Sequence, residues 1–226
     1  MALKINRNLQ RILKIIGWVL LIALIACMIK ILIWERNYYG TKSSETRAKA
    51  DVVITGLATS TNPSEAPLSD EQIANYQVEA TKPRYLDIER LGVHARIKAS
   101  VVNSEILPVP ENIHDVMWYA GSTKPGEGGV VLISGISNGP TTAGAFANLD
   151  SLEKGDKITI EVGSGDKYTY STREIQIVDY SDAETKLPSI QRRLDDKETL
   201  SLITAKKVDN ATDSYNSIVI IRATKD

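Results

Sequence analysis

The longest apolar run lies near the N-terminus. Residues Ile15 to Ile29 carry no charge, and with Ile12 and Leu13 before Lys14 and Ile31 to Trp34 after Lys30 the stretch runs from Ile12 to Trp34. A bilayer core needs about 20 such residues to cross as a helix, so 12–34 is expected to be a transmembrane helix with the lipid bilayer as its partner. Lys14 and Lys30 can snorkel to the headgroups, and Trp34 suits an interfacial position. Lys4, Arg7, Arg11 and Lys14 precede the span, whereas Glu35 and Arg36 follow it. That asymmetry places residues 1–11 in the cytoplasm and everything after Trp34 outside, at the cell membrane. A cleaved signal peptide is the competing reading, but the run exceeds a typical signal core and no small-residue cleavage site follows it closely.

Residues 35–82 change character. Ser, Thr, Ala and charged residues fill 41–51, and Ser, Thr and Pro fill 58–69. Such a composition buries little apolar surface and reads as an extracellular stalk. A short helix is expected over 70–80, with Ser69 or Asp70 as its N-cap and acids in the first turn. From Pro83 the pattern becomes short alternating runs. YLDIERLGV places Leu86, Ile88 and Leu91 around charges. HARIKASVV, ILPVP and DVMWYAG follow, and GGVVLISGI reads as a buried central strand. TAGAFANLDSLEKGD reads as a short helix and a tight turn. Ile158, Ile160 and Val162 then alternate with polar residues, Gly163 to Asp166 turn the chain, and Tyr168, Tyr170 and Thr172 return. TLSLITA and SIVIIRAT complete the set. This spacing predicts a mainly β domain over 83–226, an antiparallel barrel or sandwich with short helices.

Composition narrows the chemistry. Among 226 residues, 27 are basic and 28 acidic, which gives no electrostatic footprint for nucleic acid. The one cysteine, Cys27, lies inside the apolar stretch, so the outer domain has no thiol and no disulfide. His94 and His114 lack partners at metal-ligand spacing, no calcium loop is present, and no cofactor is implied.

The order of motifs resembles the sortases, the membrane-anchored transpeptidases of Gram-positive cell surfaces, from about Pro83 to Asp226. YLDIERLGVHARI is similar to that family's opening I-x-I-P-x-I-G-V strand. DVMWYAGSTKPGEGG resembles its G-W-Y…P-G-x-G segment, in the manner of classes E and F. GAFANLDSLEKGDKITI resembles F-x-x-L-x-x-L-x-x-G-D-x-I, and TLSLITA the strand ending T-L-x-T-C. The resemblance implies an eight-stranded sortase-type barrel. It also implies a Cys nucleophile, a His proton shuttle and an Arg that stabilises the oxyanion. At the matching positions this chain has Ala205, Ile136 and Ile218. None of these side chains can attack a carbonyl, carry a proton or donate a hydrogen bond.

Ser134, Ser137, Thr204, Lys206 and Arg222 are the possible neighbours of the presumed cleft. A Ser–Lys dyad would need Lys206 desolvated and within reach of a hydroxyl. Lys206 is expected to be solvated, the hydroxyls of Ser134 and Ser137 to bond local backbone, and Arg222 to be a surface or edge residue. If the sortase register holds, Ile136, Ala205 and Ile218 face one another as an apolar patch. That patch is either packed shut or able to bind an extended peptide without cutting it. Three readings follow: a non-catalytic protein that binds or scaffolds surface proteins, pilins or an active sortase; a cysteine-independent transpeptidase or hydrolase using other residues; and a purely structural domain of an envelope assembly.

Overall fold

The structure is a computed structural model that describes residues 28–30, 63–100, 109–179, 182, 187–206 and 217–226. The chain separates into two compact units, Met1–Arg47 and Ala48–Asp226. Of the first, Met28 to Lys30 are described, as helix with exposed side chains. The rest of the expected span 12–34 lies outside the described residues, and no described helix is long and apolar enough to cross a membrane.

The second unit is a closed barrel of eight strands: β1 (Pro83–Ile88), β2 (Val93–Ala99), β3 (Val116–Trp118), β4 (Val130–Gly135), β5 (Lys157–Val162), β6 (Lys167–Asp179), β7 (Thr199–Lys206) and β8 (Ser217–Lys225). Their order around the barrel is β1-β2-β3-β4-β7-β8-β6-β5. Pairing is antiparallel except for β2 with β3 and β4 with β7. Closure removes the free edges that an open sheet would leave over most of its length. The strands expected around Leu86, Leu132, Ile160, Leu202 and Ile220 form as the alternation predicted. ILPVP is mostly outside the described residues, and Val109 and Pro110 are not strand. The segment expected as a helix after β4 forms only a 3₁₀ turn, Leu149–Ser151. Phe146, Leu149 and Leu152 from that segment are buried in the barrel core instead, so tertiary burial overrides the local helical tendency.

Period-two alternation divides each strand between two faces. Leu86, Ile88, Val131, Ile133, Ile158, Ile160, Leu200, Leu202, Val219 and Ile221 fill the barrel interior with Trp118 and Tyr170. One buried acid lies at the edge of this core. Glu198 accepts hydrogen bonds from the backbone N–H groups of Gly126 and Gly128 (2.9 and 2.8 Å) and from the Tyr170 hydroxyl (2.6 Å). Gly126 and Gly128 have φ of 91° and 79°, values that favour glycine, and this backbone turns both donors onto the carboxylate. Burial and the Glu198 hydrogen bond push the Tyr170 phenol above its ordinary range.

The stalk expected as far as residue 82 differs from the structure from residue 63 onward. Helix α1 spans only Asp70–Ala74, capped by reciprocal Ser69–Gln72 hydrogen bonds. It stops before residue 80 because β1 and β2 claim its C-terminal carbonyls. The Tyr85 hydroxyl donates to Ile73, and Arg84 donates to Tyr76 (2.7 Å) and Ala74 (3.4 Å). Upstream, Ser64 bridges to Asn112, and the Glu65 carboxylate accepts from the Thr141 and Thr142 amides (2.7 and 3.0 Å) and from the Thr141 hydroxyl. This arm is fastened by polar contacts, with none of the α1 residues buried.

Those hydrogen bonds from Thr141 hold the Glu65 carboxyl below its ordinary pKa. A depressed folded-state value contributes stability above the unfolded-state pKa, and this is lost as pH falls through the folded value. The Thr141 and Thr142 amides are therefore expected to lose hydrogen-exchange protection in acid, and Glu65→Gln should remove that pH dependence. Protection that is unchanged from neutral pH to below the carboxylate range would contradict the clasp.

Candidate functional site

The outer faces of β4, β7 and β8 carry a second apolar cluster, separate from the interior. It contains Leu132 of β4, Ile203 and Ala205 of β7, Ile218 and Ile220 of β8, Val178 of β6 and Ile190 from the 3₁₀ segment Leu187–Gln191. Ala205 and Ile218 are direct cross-strand partners, and they are only 3% and 0% exposed. Tyr119 and Val109 pack against the margin. The 3₁₀ segment is held over this floor by two hydrogen bonds. The Ser201 hydroxyl donates to the Ile190 carbonyl (2.8 Å), and the Arg222 guanidinium donates to the Arg192 carbonyl.

Ile136 directly follows β4 and is buried. Its carbonyl accepts from the Phe146 amide (3.0 Å), and Gly144 packs so close to that carbonyl that a Cβ there would collide with it. Ser137 ties this corner to β7 by donating to the Ala205 carbonyl (2.5 Å). The structure thus pairs Ala205 with Ile218 in one cluster and brings the chain at Ile136 alongside through Ser137. The Ile136 side chain is buried outside that cluster.

The remaining candidates divide by face. Thr204 and Lys206 alternate with Ile203 and Ala205, so they lie on the opposite side of β7 from the floor. The Thr204 hydroxyl donates to the Gly135 carbonyl (2.8 Å). Lys206 is not a solvated loop residue: its ammonium pairs with Asp150 of the Leu149–Ser151 turn. Ser134 donates to the Met117 carbonyl (3.4 Å). The hydroxyls of Ser134, Ser137 and Thr204 thus all donate to backbone carbonyls, but to carbonyls distant in the chain rather than the local backbone expected for Ser134 and Ser137.

Arg222 corrects its expected surface position. It is 4% exposed, at the end of the floor away from Ile218, and pairs with Glu174 of β6 (3.4 Å). The coverage by the 3₁₀ segment that buries it has no signature within β8 itself.

Beside the sealed floor lies an open cleft of about 450 Å³, lined by Tyr119, Ser122, Thr123, Leu132, Gln191 and Arg193 among others. Sequence reasoning missed it. Gln191 and Arg193 are distant from β4 in the chain and reach the cleft only because the 3₁₀ segment docks there.

A family model described as the sortase domain matches residues 86–226. The chain belongs to the sortase family. Sortases also appear among the structural neighbours. The pilus-related sortase C of Group B Streptococcus superimposes with a TM-score of 0.51 at 16% identity, covering 82% of this chain and 90% of that one. Streptococcus pneumoniae sortase C gives 0.50 at 15% identity, covering 81% and 89%. A Clostridium perfringens class D sortase transpeptidase gives 0.46 at 24% identity, covering 70% and 89%. Likeness at this identity concerns the fold. No curated protein matches the sequence. Within the sortase barrel of this chain, the apolar floor takes in the end of β7 and the start of β8, at Ala205 and Ile218.

Proposed function

We propose that this chain is a catalytically inactive, membrane-anchored sortase-family protein on the outer face of the cell membrane. It acts by binding or scaffolding a surface protein, a pilin or an active sortase. The observation that carries the reading is the pairing of Ala205 with Ile218 inside a buried apolar cluster. Transpeptidation through a cysteine requires a thiolate, a proton carrier and an oxyanion donor around one carbonyl, and the residues matching the family motifs are Ala205, Ile136 and Ile218. Among the described residues no substitute is assembled nearby, since Lys206 is engaged by Asp150 on the opposite face of β7. The anchor rests on the apolar stretch 12–34 and its basic N-terminal flank. Binding is supported by the open cleft beside the floor, where Tyr119 and Leu132 offer apolar contact and Gln191 and Arg193 offer donors. The sealed floor by itself favours the second reading, a purely structural envelope domain.

The test is a transpeptidation assay with a labelled sorting-type peptide and an amine acceptor. Wild type and Ala205→Cys are both expected to show no turnover, because members of a catalytic triad act as a unit and restoring one of them gains little. Turnover by the wild type would end the non-catalytic reading. Saturable peptide binding that Tyr119→Ala and Arg193→Ala weaken favours the binding role over the structural one.

A further inference from the structure

The second half of β6 has an open edge. β5 pairs with β6 only between Lys167 and Ser171, and Gly155 and Asp156 then close on Thr172. Beyond that point β8 pairs with one edge of β6 as far as Asp179. Among the described residues, nothing pairs with the other edge of 173–179.

The hydrogen-bond alternation shows which groups this edge presents. The Lys225 amide donates to the Glu198 carbonyl, on the β7 side of β8. Alternation along an antiparallel strand then turns Ala223, Ile221 and Val219 toward β7, and Arg222, Ile220 and Ile218 toward β6. Their β6 partners are Glu174, Gln176 and Val178, so these residues spend their backbone groups on β8. Ile175, Ile177 and Asp179 present theirs at the free edge. Ile177 is 61% exposed, and it is the one large apolar side chain so exposed among the described residues of the barrel. Natural edges are commonly blunted by Lys, Pro or bulges; past the bulge between Thr172 and Glu174, the segment to Asp179 has no Lys, no Pro and no further bulge.

We propose that a second copy of this chain occupies this edge, with β6 antiparallel to its twin about a two-fold axis through Gln176. The segment is self-complementary in that register. Ile175 faces the partner's Ile177, and Gln176 faces itself. These contacts put two apolar pairs on one face of the ribbon, an arrangement that stabilises cross-strand pairing. Because Ile175 and Ile177 both direct their backbone groups outward, they meet as hydrogen-bonded pairs. A slip of one residue would set Glu174 against the partner's Ile177 in one direction and against the partner's Asp179 in the other, and exchange the faces. Arg173 sits at the bulge between Thr172 and Glu174 and is tied to Thr224 (2.9 Å), so the regular edge begins at Glu174. An isologous contact of this kind is the common form of homodimer. The proposal does not depend on whether the chain is catalytic.

The test uses the full chain in detergent micelles with Cys27→Ser, so that an introduced thiol is the only one. Gln176→Cys sits on the axis as a non-hydrogen-bonded pair, about 4.5 Å between Cα atoms and within disulfide reach. Mild oxidation is expected to link it into dimers at least about tenfold faster than Lys154→Cys, an exposed control. Adding Ile177→Lys should slow that linkage about tenfold, equivalent to 1.4 kcal/mol at the interface, while leaving the monomer's thermal midpoint unchanged. Linkage no faster than at Lys154→Cys, or linkage insensitive to Ile177→Lys, would overturn the proposal. So would preferential capture of a different protein by Gln176→Cys in intact cells.

Discussion

Ile218→Arg is expected to destabilise the barrel by about 4 kcal/mol or more, because it places an unpaired charge in a fully buried apolar site. Ile218 is 0% exposed and packs in one cluster with Leu132, Val178, Ile190, Ala205 and Ile220. A domain of this size has only about 5–15 kcal/mol of total stability, so much of that margin would be lost. Ala205→Cys, by contrast, adds one small apolar atom group and should cost less than about 1.5 kcal/mol. The introduced thiol would sit in apolar surroundings that raise its pKa, so it should resist a thiol reagent until the domain unfolds. Urea midpoints of wild type and the two variants, with thiol labelling of Ala205→Cys, measure both effects. Wild-type stability in Ile218→Arg, or rapid labelling at 205, would mean that the floor opens to solvent.

Glu198→Ala should cost about 3–5 kcal/mol, the scale for removing a buried, hydrogen-bonded charge and leaving its partners unmet. The orphaned partners would be the amides of Gly126 and Gly128 and the hydroxyl of Tyr170, a residue that is 0% exposed. Lys225 lies 3.9 Å from the same carboxylate, and solvent can reach it in compensation. Tyr170→Phe alone should cost about 1–1.5 kcal/mol, a hydrogen bond's net worth. In the Glu198→Ala background the same change should be neutral or stabilising, because its hydroxyl would otherwise be buried unpaired. A double-mutant cycle by urea denaturation gives the coupling. Additive costs would show that Tyr170 and Glu198 do not act as one network.

Much of the barrel was legible because its code is local. Alternation in ITIEV, the turn GSGD and the return YTYST name a hairpin without reference to anything distant, and β5 and β6 pair as that pattern requires. GGVVLISGI announces a strand buried on both faces, and β4 is one. The arm was less legible. Nothing in 63–80 favours order by burial, and its structure comes from donors on other elements: Arg84 and Tyr85 on β1 cut α1 short, and Thr141 and Thr142 fix Glu65. Polar anchoring of this kind has no periodic signature.

The sequence by itself determined the strand inventory, the absence of a thiol beyond Cys27, and the apolar identities at 136, 205 and 218, since alternation and side-chain chemistry belong to each residue where it stands. Tertiary structure decided what lies against what. Closing β5 onto β1 and docking Ile190 across β7 and β8 buried Arg222, sealed Ala205 against Ile218 and left a cleft beside them. It also left one edge of the second half of β6 unpaired among the described residues. Residues far apart in the chain meet only when a barrel brings them together, and no local pattern records which of those meetings will exclude water.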